Sequence, residues 1–302
     1  MNAAELPNRR VEAWKYSDLR AVLAGMPLPA EGARPPAAQT LLDGVIERLA
    51  LSQGHHALTT VAAGQTEVLV ERLDMSALSA SVREIRLQPG AELTRIVIQS
   101  AAQRSVVLDS AHVAIGAGAR FRQFVLAEGA TLARVETHVR LEGEGAEAEL
   151  NGAYQCAGLH ADLTSTIEHK VGGCITRQMI HGVAVAGGRA VFQGKIVVEP
   201  GAQKTDARQH HHGLLLQEGA EIFAKPELLI HADDVQCAHG NAIGGLDEDA
   251  LFYMRARGIP AGEARALLIA AFLAQTIPDG VPDNVHEELM SRINYWLAET
   301  RP

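Results

Sequence analysis

The chain has 302 residues, 47% hydrophobic and 21% charged, with a formal net charge of −9. That is the balance of a globular chain long enough to bury a large core, and the acidic excess argues against a nucleic-acid binder, which needs a basic patch or stripe. Three cysteines, Cys156, Cys174 and Cys237, make no disulfide framework. The first twenty residues carry no apolar targeting core, and no uncharged apolar run nears the ~18 residues that span a bilayer. A cytoplasmic protein in a reducing compartment, off the membrane, is expected.

Residues 12–23, with Trp14, Tyr16 and Leu19, read as partly helical. The proline-rich stretch from Pro27 to Pro36 cannot continue a helix. Leu41, Leu42, Val45, Ile46 and Leu49 then recur at helical spacing, and residues 68–70 form a short strand candidate. From about residue 82 to 230 the pattern changes to short strands, among them 83–87, 94–99, 105–108, 120–126, 133–141 and 190–198. Val135, Thr137, Val139 and Leu141 alternate with Glu136, His138 and Arg140, the period of a strand with one face buried. Gly-Ala pairs punctuate the strands, at Gly90, Gly116, Gly118, Gly129, Gly145, Gly201 and Gly219, and mark turns. Only 4% of residues are aromatic and 28 are glycine, which suits small and β-branched side chains stacked in layers. This pattern leaves a sandwich, a barrel and a parallel β-helix open. The uneven spacing speaks against a strict hexapeptide repeat, and the scarcity of two-residue hairpin turns favours a right-handed parallel β-helix.

After Leu246 the helical period returns. Asp247, Glu248 and Asp249 at the start, Arg255 and Arg257 at the end and Gly258 just beyond predict a helix over 250–257. Pro260 suits the first turn of a second helix, with Ala264, Leu267, Leu268, Ala271, Phe272 and Gln275 along one face. Val285, Leu289, Ile293 and Trp296 mark a last helix. The expected organisation is a helical N-terminal region over 1–75, a β core over 76–245 and a helical C-terminal part over 246–302.

The densest chemistry lies between residues 205 and 259. In His210-His211-His212, successive side chains of a strand point to opposite faces, so only His210 and His212 could share a metal, with His231 or His239 as a third ligand. The plainer reading is a solvated strand edge. Cys237 and His239, two apart, face one side and pair a thiolate with an imidazole, a soft ligand set for iron or persulfide sulfur. The plainer reading there is a buried thiol beside a hydrogen-bonded histidine. Asp233 and Asp234 suit a turn, or the carboxylate pair of a β-helix carbohydrate-active enzyme. A metal-dependent enzyme is the other catalytic alternative. Cys156 and Cys174 match no paired-cysteine spacing and read as core thiols. The absence of a phosphate-binding loop, a nucleophile elbow and a zinc-protease motif disfavours an independent ATPase or hydrolase.

Several stretches resemble the SufB/SufD family of iron–sulfur cluster assembly proteins, and its SufD branch most closely. They are Cys237-Ala238-His239-Gly240, Leu246-Asp247 and the run LFYMRARGI at 251–259, preceded by Lys204-Thr205-Asp206, Lys225-Pro226-Glu227-Leu228 and Asp233-Asp234-Val235. The run EAWKY at 12–16 resembles the family more weakly. The resemblance implies a mainly β fold, a right-handed parallel β-helix between small helical N-terminal and C-terminal parts, with an N-terminal region shorter than is usual in SufD. It implies a non-catalytic scaffold that pairs with a SufB-like subunit near residues 237–240 and leaves a homodimer open where SufB is absent. It implies docking of a SufC-like ABC-type ATPase on the C-terminal helices, with Leu251, Phe252, Tyr253, Arg255, Arg257 and Gly258 as the contact. A transient iron–sulfur cluster, or iron, would form at the junction with SufB. His239 is the first candidate ligand and Cys237 the second, and no tightly bound cofactor is expected in the isolated chain.

Overall fold

The computed structural model describes residues 3–29, 44–73 and 76–301. Pro35, Pro36, Leu41 and Leu42 lie outside the described residues. Fourteen described strands alternate between two parallel sheets. One holds β1 (His56–Val61), β3 (Leu78–Leu87), β5 (Ala102–Ile115), β7 (Ala130–Leu141), β9 (His160–His169), β11 (Arg189–Val198) and β13 (Glu221–Ile230), in that order. The other holds β2 (Thr66–Arg72), β4 (Glu92–Gln99), β6 (Arg120–Ala127), β8 (Glu147–Ala157), β10 (Ile175–Val185), β12 (Asp206–Leu215) and β14 (Gln236–Gly244). Each strand pairs with strands two along the chain, so every two strands make one coil of a parallel β-solenoid.

The mainly β fold is therefore as the sequence predicts. The solenoid starts earlier than expected, however. β1 and β2 pair with β3 and β4, so residues 56–72, placed in a helical N-terminal region, form the first coil. Short polar strands at the end of a stack give little periodic signal, because only one of their neighbours is a strand. The strands are also longer than the sequence suggests, up to 14 residues in β5.

The alternation read in β7 has the predicted sense. Val135, Thr137, Val139 and Leu141 are buried, and Glu136, His138 and Arg140 are partly exposed. Ile85, Val113, Val139, Ile167, Ile196 and Leu228 lie in register as one row across the first sheet, 26 to 32 residues apart. This row packs against Leu93, Phe121 and Leu150 of the other sheet, so the dry interior is a stack of aliphatic layers.

One turn column explains three of the Gly-Ala pairs, those at Gly90, Gly118 and Gly145. Gly90, Gly118, Gly145 and Gly173 all have φ between 61° and 69°, a region where an L side chain is strained. The next residues, Ala91, Ala119, Ala146 and Cys174, plug the interior and are fully buried. Cys174 thus stands where earlier coils carry alanine, and burial raises its thiol pKa. In the next coil Lys204 takes the glycine position (φ 63°), donates its backbone N–H to Asp234 O (2.6 Å) and pairs through its ammonium with the Asp234 carboxylate. That assigns Asp234 to a turn.

Both sheets are covered on the outside. At the N-terminus, Leu6, Trp14, Leu19 and Leu23, together with Ile46 and Leu49 of the helix Val45–Ser52 (α2, after the short α1, Leu19–Val22), pack on Ala80, Val82, Val106, Leu108 and Leu132. Arg134, 1% exposed, lies 4.0 Å from the Trp14 ring and donates to Ala13 O (2.8 Å), Glu136 (2.5 Å) and Asp162 (2.9 Å). Tyr16 stacks on Phe223 at 5.0 Å, and Glu12 pairs with Lys225 at 2.5 Å. The EAWKY run is thus a strap from β7 to β13.

On the opposite side, α3 (Glu248–Ala256), α4 (Ala261–Ala274) and α5 (Asp283–Thr300) follow the solenoid. Val285, Leu289, Ile293 and Trp296 of α5 are buried as predicted, against Ile96, Phe124 and Val183. The predicted face of α4 is corrected. Ile269, Ala270 and Leu273 are buried, whereas Leu267, Ala271 and Gln275 are exposed. Residues 266–274 are all apolar, so the period has no phase there and only docking picks the buried side. No described helix is long and apolar enough to cross a membrane.

Candidate functional site

Among the described strands β14 is the last of its sheet, paired on one side to β12 and followed by none on the other. β13 ends the other sheet in the same way. The solenoid is therefore open here. Leu229, Ile230 and Ile243 stand 40–43% exposed, and β14 offers one row of unpaired backbone groups.

Cys237, His239 and Asn241 pair with Ala207, Gln209 and His211, which are all fully buried. They continue the inward rows of the interior into the last described coil, where no further described coil covers them. Cys237 packs against the edge of the aliphatic interior. Burial raises its thiol pKa, so near neutral pH it is a thiol rather than a thiolate. His239 is exposed, and its ring makes no hydrogen bond or ion pair among the described residues.

Beneath His239 runs a polar ladder. Gln209 Nε2 donates to Gln178 Oε1 (2.7 Å), and Gln178 Nε2 donates to Ser165 Oγ (2.9 Å). The Gln209 Oε1 atom is buried with no partner among the described residues. His239 is the next rung, a free imidazole over an unused acceptor.

The histidine triplet divides as strand geometry requires. His211 points inward, with Nδ1 2.6 Å from Asn241 Oδ1 and Nε2 2.9 Å from the Tyr154 hydroxyl. Gly182 and Gly213 lie in register with Tyr154 and leave the space its ring fills; a Cβ on Gly182 would sit 1.9 Å from Tyr154 Cζ. His210 and His212 point outward, and His212 stacks on His181, which stacks in turn on Phe272 of α4 (5.2 and 4.3 Å). Among the described residues neither His210 nor His212 is gathered with His231 or His239 into a three-ligand group.

Burial holds the imidazoles of His160, His169 and His211 near 4. Each binds its proton less readily than in the unfolded chain, where the value is about 6.5. Between those pH values the unfolded state carries more protons, so stability is complete above about 6.5 and falls as pH drops towards 4. The loss from pH 6.5 to 5 is expected to be about 2 kcal/mol per histidine. Urea midpoints measured at pH 7 and pH 5 check this; equal midpoints would show that the three imidazoles are not neutral and buried.

Of the residues expected to meet an ATPase, Leu251 is buried on the inner face of α3, while Phe252 and Tyr253 are 72% and 59% exposed. Asp247 caps the helix by accepting from Ala250 N (2.9 Å), and Gly258 ends it at φ 88°. Arg257 donates to the Tyr253 hydroxyl (2.8 Å), and its guanidinium lies 5.0 Å from the ring centre. Arg255 sits in the last turn, on the exposed side. Cys156 is fully buried, and burial pushes its thiol up to about 12, the state of an inert core thiol.

The family model for the SUF system FeS cluster assembly SufBD core domain matches residues 38–272. The iron–sulfur cluster assembly protein SufD of Escherichia coli K12 is 34% identical over 170 residues, covering 56% of this chain and 40% of that protein. A SufBD family assembly protein of Synechocystis is 35% identical over 202 residues, covering 67% of this chain and 44% of its own length. Another, from Mycobacterium leprae, is 28% identical over 261 residues, covering 83% and 66%. The matches thus span about 40 to 66% of these relatives. With the parallel β-solenoid and a core match over most of its length, the chain belongs to the SufBD core family of the SUF iron–sulfur cluster assembly system.

Proposed function

We propose that this chain is a non-catalytic scaffold subunit in iron–sulfur cluster assembly, and that it pairs through the open end of its solenoid with a SufB-like subunit. The observation that carries the reading is the uncovered last coil, where the edge strand β14 presents His239, and Cys237 beside it, with no coil above. Closed interior rows would leave a ligand pair nothing to meet. An open row can add a partner strand by backbone pairing and take further ligands from it. Among the described residues no third donor joins Cys237 and His239 within 4.8 Å, so a cluster or iron held there needs ligands from the second subunit. The cluster is cargo in this scheme and sits at the junction only transiently.

The second contact is α3. Phe252 and Tyr253 stand exposed beside Arg255 and Arg257, an aromatic and cationic surface of the kind enriched at protein interfaces. A SufC-like ATPase docked there would supply the ATP-driven motion for which this chain carries no nucleotide loop.

The test is the mass of the assembly recovered when the chain is co-expressed with SufB-like and SufC-like proteins from the same source. One co-eluting complex with two ATPase copies per scaffold pair is expected. Recovery as a lone chain would reduce the relationship to a shared fold.

A further inference from the structure

A second group of ligand-bearing side chains lies far along the chain from β14, on the outer face of the other sheet. His112 of β5 and His138 of β7 are register partners across that sheet, and their rings stack at 4.8 Å and 11°. Strand spacing alone sets that separation. Glu47 reaches in from the first turn of α2. Its Oε1 lies 2.9 Å from His112 Nε2 and accepts from Ser110 Oγ at 2.6 Å. Glu136 Oε2 lies 3.3 Å from His138 Nε2. Donor atoms of Glu47, His112 and His138 fall within 4.8 Å of one another.

Two features mark this group as more than a surface hydrogen-bond cluster. Glu47 is 3% exposed, and the ionisable side chain paired with it is an imidazole, with no Lys or Arg pairing it among the described residues. A buried carboxylate needs a compensating positive charge. The group also opens into a cavity of about 330 Å³, lined by Glu84, Arg86 and Arg140 among others, with room for water or a small ligand beside the imidazoles.

We propose that Glu47, His112 and His138 form a binding site for a divalent first-row transition ion of the zinc or ferrous class, with Glu136 as a fourth ligand. Two imidazole nitrogens with one or two carboxylate oxygens suit Zn²⁺ or Fe²⁺; calcium and magnesium prefer oxygen throughout, and copper(I) prefers sulfur. Tetrahedral bonds of about 2.0–2.1 Å place two donors roughly 3.3 Å apart, so the stacked rings tilt together on loading. Ser110 keeps its bond to Glu47 and orients the carboxylate, as outer partners of metal ligands do. This inference stands independently of the scaffold reading, because none of its residues lies at the open end.

The experiment uses the full chain in a Cys237→Ser/His239→Ala background, so that metal at the open end contributes nothing. Zn²⁺ binding is measured by calorimetry after chelator treatment, and Co²⁺ binding by visible absorption. One equivalent per chain is expected, with imidazole-type Co²⁺ bands. Adding His138→Gln is expected to weaken binding at least about tenfold in a chain that still folds. A His112→Asn variant gives a second reading should His138→Gln fail to fold. Absence of stoichiometric metal in the background protein, or affinity unchanged in folded His138→Gln and His112→Asn, would overturn the site.

Discussion

Replacing Arg134 with alanine is expected to destabilise the protein by about 3–5 kcal/mol, the cost of removing one partner from a buried ion pair. Arg134 holds two carboxylates, and one of them, Asp162, is fully buried. Burial opposes the charged form of Glu136, yet the Arg134 guanidinium and the neighbouring His138 hold its carboxyl down at about 2. Without Arg134, Asp162 loses its guanidinium partner in a buried layer and Glu136 loses the main charge that compensates it. The same side chain carries the strap, through its bond to Ala13 O and its contact with Trp14. The melting temperature should therefore fall by roughly 10 °C. In a Trp296→Phe background, Trp14 emission should shift to the red as the strap lifts. Arg134→Lys should give an intermediate loss, because lysine keeps the charge but not the planar fork. A melting point within a degree of the parent protein in Arg134→Ala would mean that the strap, not the ion cluster, carries this region.

His239→Ala is expected to behave in the opposite way. Its ring is exposed and unbonded, so the melting temperature should stay where it is. Cluster formed by the co-expressed complex should drop to the level seen without this subunit, because the junction loses the one free imidazole that β14 presents. Cys237→Ser should cost less: that thiol is partly buried, its pKa is raised, and it also packs the end of the interior. Full cluster yield from a complex carrying His239→Ala would remove His239 from the site and leave β14 as a pairing edge only. Loss of the complex itself would place the residue in the interface rather than at the cluster.

Much of this architecture is legible locally. Strand alternation in 133–141 names the buried face correctly, because period two is a property of a single strand. Asp247 and Gly258 bracket α3 because caps act within one turn. The motif at 237–240 marks the strand that ends the stack. Other features have no local signal. Of the first coil only 68–70 is legible, as a short strand inside β2; its pairing has no local signal because Thr66–Arg72 is mostly exposed. The buried face of α4 is undefined in a run where every residue is apolar. His112 and His138 are 26 positions apart, and nothing near either in the chain points to the other.

The sequence by itself determined several glycine turns, the inward face of 133–141, where the helices return and which short motif carries the family likeness. Tertiary structure decided which strand lies beside which, where the solenoid stops, and that Glu47, His112 and His138 meet. The reason is the geometry of a parallel stack. Inward and outward faces follow from a two-residue period, but neighbours follow from a coil whose length varies from 26 to 32 residues with its turns. Only the closing of those turns brings distant residues to a strand spacing of about 4.8 Å.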